Sequence, residues 1–155
     1  SNMPSKAAHV QAVIENTRTL NYLREQIEDH PQWVVTVAFY KALHVVEALF
    51  AADPQATQKH CDDHSSRSRL LKKTNRYKKI WEHYRPLFND SLIARYLREN
   101  DDPGGQHNVF SRYLSPEEVE KTHINRNVAE ILKSARKILK DPKFLQELDS
   151  PTKPK

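Results

Sequence analysis

Glycine is almost missing from this chain: two occur in 155 residues, both inside the DDPGGQ segment at 101–106. Backbone freedom of the glycine kind is therefore confined to one place. The abundance of Leu, Ala, Lys, Glu and Arg elsewhere favours helices over sheets. Alternating β-branched runs bounded by turn signals are absent too, so a sheet has no support. The single cysteine, Cys61, excludes an intramolecular disulfide and fits a reducing compartment. With no secretory signal visible, the cytoplasm is the expected location. A net charge of +5 permits an acidic partner without requiring one. No internal repeat is present. The length fits one domain. Ser1-Asn2 ahead of Met3 read as a remnant of tag cleavage. The expected division is thus an N-terminal remnant at 1–4, a helical domain at 5–148 and a disordered tail at 149–155.

Against these absences stands one long apolar run, PQWVVTVAFYKALHVVEALFAA, from Pro31 to Ala52. Its length matches a membrane span. Lys41, His44 and Glu47 oppose that reading, because each would be costly in hydrocarbon. The run instead predicts the central helix of a bundle, apolar nearly all round because neighbours cover several sides. Pro31 suits its first position, where the missing N–H has no partner to lose. Asp53-Pro54 stops it.

The remaining helices follow from periodicity and caps. A first helix is predicted over Ser5 to Asp29, with Val10, Val13, Thr17, Leu20 and Ile27 on one stripe. A short helix capped by Asp62 or Asp63 runs through Leu70 and Leu71. A third amphipathic stretch covers Asn75 to Arg98, with a kink or a junction of two helices at Pro86. Glu99 to Leu114 reads as a long mobile loop. Ser115-Pro116-Glu117-Glu118 combines an N-cap, an N1 proline and a capping-box glutamate, which starts a last long helix reaching about Lys140. Phe144, Leu145 and Leu148 predict one more docked turn. The expected architecture is all-α: an up-and-down bundle of four long helices plus one or two short ones.

Three segments carry a likeness to a known family. In AFYKALHVVEALFAA, Phe39, Tyr40, His44, Ala48 and Leu49 fall in register with a "YY-x-x-x-H-x-x-x-A-L-L" helix. The next loop reaches His60 or His64. In YRPLFNDSLIARY, Tyr84, Leu87, Ser91, Arg95 and Tyr96 follow an "L-x-x-x-R-x-x-A-D-Y" pattern. Together they resemble the HEPN superfamily (higher eukaryotes and prokaryotes nucleotide-binding domain) over about residues 5–140. The resemblance implies a homodimer and, by extension, a role in a bacterial defence or toxin–antitoxin system. Many members are metal-independent ribonucleases with Arg-x(4–6)-His near the start of the last helix. Here Arg126-Asn127 match the first two positions, but no histidine follows at that spacing. Arg24 with His30 and Arg76 with His83 satisfy the spacing in other elements, as chance allows among eleven arginines and eight histidines.

Several side chains are candidates for chemistry or binding. Arg126 could stabilise a scissile phosphate with His123 or His107 as the proton-transfer partner, a rearranged ribonuclease site. His44, mid-helix among apolar residues, is either a hydrogen-bonded core histidine or a proton-transfer group. His60 and His64, if helical, share one face and with Cys61 and an aspartate could hold zinc. Arg67, Arg69, Lys72, Lys73, Arg76, Lys78 and Lys79 form an acid-free run with Tyr77 inside and Trp81 just beyond, suited to phosphates and a stacked base. The preferred expectation is a non-catalytic module that binds RNA or a nucleotide through this run. An acidic protein is the rival partner. No cofactor is expected.

Overall fold

The computed structural model describes residues 3–96 and 114–149. Helix α1 (Lys6–Arg24) is followed by α2 (Pro31–Ala52), α3 (His64–Lys73) and α4 (Lys78–Tyr96). Helix α5 runs over 116–139. It opens with the turn Pro116–Glu118, continues as a π-helical stretch Val119–Val128 and ends as an α-helix Ala129–Leu139. Single 3₁₀ turns at Asn75–Tyr77 and Gln146–Asp149 complete the set, and no strand occurs among the described residues. The all-α bundle is therefore as expected, with four long helices and one short one.

Three of the starts, those of α1, α3 and α5, are fixed by a local side chain. Ser5 Oγ accepts from Ala8 N, an Asp63 carboxylate oxygen from Ser66 N at 2.7 Å, and Ser115 Oγ from Glu118 N at 3.1 Å. Each satisfies one of the amide donors that a helix start leaves open. Ser115→Ala should cost about 1 kcal/mol, read as a lower midpoint in urea unfolding at unchanged slope. At the far end of α5 no glycine is available, and Lys140 itself takes the left-handed conformation, φ 52°. Its amide donates to the Arg136 and Lys137 carbonyls, which offsets the side-chain crowding that this geometry imposes.

Helix α2 occupies the middle, packed against α1, α4 and α5. Its most hydrophobic 18-residue window is 72% buried inside the bundle, so its apolarity is that of a core helix. Phe39 lies at the centre, with its ring centroid 5.3 Å from Phe88 and 5.6 Å from Tyr84, both on α4. These tilted contacts add to the area buried. The docked turn also forms, with Phe144 and Leu145 buried.

One boundary differs from expectation, and one of two alternatives is decided. Helix α1 ends at Arg24 and not near Asp29, because the chain must reverse before Pro31. His30, restricted by that proline, leaves helical geometry at φ −135°. Pro86 sits inside α4 without dividing it, lacking only the N–H that would have closed one rung. The loop expected over Glu99 to Leu114 lies almost wholly outside the described residues, as does the tail beyond Asp149.

Candidate functional site

The basic run is divided by the fold. Arg69, Lys72, Lys73, Lys78 and Lys79 are exposed along α3 and the first turn of α4. Lys79 has Glu82 within 4.0 Å one turn on, and Trp81 is half-buried beside them. Arg67 and Arg76 are not free cations. Arg76 is paired with Asp53, its Nη2 donating at 2.8 Å. Arg67 is 5% exposed and turned into the protein. The physical reason is shared: each answers a buried carboxylate at the α2 end that could not stay ionised alone.

Glu47 is the carboxylate that holds Arg67. It is fully buried on α2, and Oε1 accepts from Arg67 Nε at 2.7 Å. Oε2 accepts from the Cys61 amide at 3.1 Å and lies 3.1 Å from His60 Nδ1. Arg67 also donates to the Cys61 carbonyl at 3.0 Å, fastening the connection before α3. Next to this pair stand three imidazoles. His9 Nδ1 and His44 Nδ1 are 3.0 Å apart in a hydrogen bond, and the His9 and His60 rings stack at 5.5 Å. Burial holds His9 and His44 below the usual histidine range, with Glu47 opposing the shift at both. Burial likewise pushes the Cys61 thiol up, aided by Glu47, so it is a poor nucleophile.

His60 and His64 do not share a helical face, as the zinc reading of that segment required. Helix α3 begins only at His64, so His60 precedes it and turns to His9 and Glu47. His64 packs between Phe39 and Phe88, at 5.8 and 5.2 Å, where burial and then Arg67 depress its pKa. His44 is half-buried and hydrogen-bonded, which fits a core histidine. His9 was not singled out from sequence, although it was legible as a histidine on the Val13, Thr17, Leu20 stripe.

Arg126 and His123 point apart. Arg126 is exposed, whereas His123 is 1% exposed inside the π-helical stretch. There Nε2 meets Asp90 Oδ2 at 2.5 Å and Nδ1 meets Asn127 Nδ2 at 3.1 Å; Asn127 Oδ1 meets His83 Nδ1 at 2.9 Å. One proton order satisfies every link: His83 donates to Asn127, Asn127 to His123, and His123 to Asp90. The chain ties α4 to α5 and uses both His123 nitrogens, so the expected Arg126–His123 pair is not assembled. His107 lies outside the described residues.

Two segments that carried the family likeness meet in space. Arg95 on α4 donates to Tyr40 Oη on α2 at 3.1 Å and to the Ser91 carbonyl at 3.3 Å. Its guanidinium also lies over the Phe39, Tyr40 and Tyr96 rings at 5.1–5.6 Å. Comparison of the whole chain with protein-family profiles, with curated proteins and with solved structures finds no match in any of the three.

Proposed function

We propose that this chain is a HEPN-like module that binds single-stranded RNA, as a homodimer, through the face made by α3 and the start of α4. The observation that supports the reading is the exposure of Arg69, Lys72, Lys73, Lys78 and Lys79 on one continuous stretch of chain. Such a row can neutralise successive phosphates, and Trp81 at its edge offers a ring to a base. The two arginines withdrawn inward leave these five as the contacts.

Binding of a labelled short RNA should therefore fall steeply with salt. Five phosphate contacts give a slope of about −3.5 in log K against log salt, and each lysine neutralised makes it shallower by about 0.7. Lys72→Gln with Lys73→Gln should weaken binding about tenfold, with little change between RNA sequences. Following cleavage on a gel in the same samples reports any nuclease activity, and sedimentation at those concentrations reports the homodimer. Binding with little salt dependence, or unaltered in the double variant, would exclude this face.

A further inference from the structure

We propose that His9, Glu47 and His60 form a divalent-cation site of the zinc class, with His44, Arg67 and Asp62 orienting its three ligands. The ligand atoms these residues offer lie within 4.8 Å of one another. His60 Nδ1 and Glu47 Oε2 are 3.1 Å apart, close to the spacing of about 3.3 Å between neighbouring donors around a tetrahedral zinc. That pair is not aligned as a hydrogen bond. His60 Nδ1 and His9 Nε2 are both buried with no hydrogen-bond partner among the described residues. Buried imidazole nitrogens left this way are rare, and His9 is only 4% exposed.

The outer atoms of the same three side chains are all engaged. His9 Nδ1 bonds His44 Nδ1 at 3.0 Å, His60 Nε2 lies 3.1 Å from Asp62 Oδ1, and Glu47 Oε1 accepts from Arg67 at 2.7 Å. This is like the arrangement around metal-binding histidines, in which the nitrogen away from the metal faces an acceptor and a carboxylate is a frequent one. With a proton on His9 Nδ1 and on His60 Nε2, His9 Nε2 and His60 Nδ1 are left as free lone pairs. The positive charge of Arg67 beside the site is offset by Glu47, and Asp62 adds a second carboxylate. Two imidazoles and one carboxylate suit zinc better than calcium or magnesium, which take mainly oxygen ligands. Three protein ligands leave a fourth tetrahedral position for water. A cation here would join the start of α1, the second half of α2 and the 53–63 connection, three parts of the chain far apart in sequence.

The test is zinc titration of the chelator-treated 155-residue chain by calorimetry, with cobalt substituted to read coordination from its visible spectrum. One zinc per chain with submicromolar Kd and a tetrahedral cobalt spectrum is expected. His60→Gln and His9→Gln should each weaken binding at least 100-fold, while His30→Gln, an exposed histidine, should not change it. Asp62→Asn alters an exposed side chain and spares all three ligands, so it keeps the site interpretable even if a buried variant fails to fold. It should weaken zinc about tenfold at unchanged helicity. Absence of stoichiometric zinc binding by the unmodified protein, or equal affinity in Asp62→Asn and His60→Gln, would overturn the proposal. RNA binding is measured separately, so either reading can fail alone.

Discussion

Glu47→Ala should lower the free energy of unfolding by about 3–5 kcal/mol, the range seen when one partner of a buried ion pair is removed. Two groups lose their acceptor at once, Arg67 Nε and the Cys61 amide, and the His60 imidazole beside them loses its carboxylate neighbour. The guanidinium of Arg67 is then a buried charge with no counter-ion, since the Cys61 carbonyl and His64 Nδ1 beside it are uncharged acceptors and Tyr84 is a phenol whose pKa burial has pushed up to about 12. Removing both charges should harm less than removing one. A Glu47→Met, Arg67→Met pair fills the same volume with apolar atoms and is expected to recover most of the loss, because desolvation of the ions no longer has to be offset. The double-mutant cycle by urea unfolding reads this directly. Strict additivity of the two single effects would show that Glu47 and Arg67 are not coupled, and the geometry above would then be wrong.

Helix positions were legible in the chain because their signals are local. Pro31 and Asp53-Pro54 bracket α2, and Ser115 with Pro116 announces α5. Asp63 caps α3, as one of the two aspartates expected to do so. What was not legible is which charges the fold withdraws. Arg67 and Arg76 belong to the same acid-free run as Lys72 and Lys78, and nothing within that run separates them. The separating information lies at Glu47 and Asp53, about twenty residues earlier, and acts only once α2 has packed. The histidine cluster failed to appear for the same reason. In sequence the neighbours of His60 are Cys61 and His64, whereas its partners in space arrive from α1 and α2. Likewise His123 and Arg126 look paired in sequence, but three residues along a π-helix fall well short of a full turn, so His123 is buried while Arg126 faces solvent.

Asp53→Ala should be the second most damaging change, costing about 2–3 kcal/mol. The carboxylate is fully buried and gathers Tyr77 Oη at 2.7 Å, Arg76 Nη2 at 2.8 Å and the Gln55 amide at 3.0 Å. The buried Tyr77 phenol is stranded without it, whereas the amide of exposed Gln55 can turn to water. Arg76 is about one-third exposed and regains water, so its share is discounted. Asp53→Asn separates the two contributions: it keeps an acceptor for Tyr77 while removing the charge, and should cost about half as much. The pH dependence follows from the same contacts. Burial alone would raise the Asp53 pKa, but the bonds from Gln55, Tyr77 and Arg76 outweigh it and hold the carboxyl below its ordinary value. Its contribution is therefore fully present above the unfolded-chain pKa of about 3.9 and is lost as pH falls through the lower folded value. Urea midpoints of the wild type and Asp53→Ala should differ most at neutral pH, and the difference should narrow as pH falls below the ordinary carboxylate range. Asp53→Ala also returns Arg76 to the exposed basic face. If that face binds RNA, the variant should bind a few-fold more tightly with a steeper salt slope, even though the protein is less stable. Stability and affinity moving in opposite directions is a result that general unfolding cannot imitate.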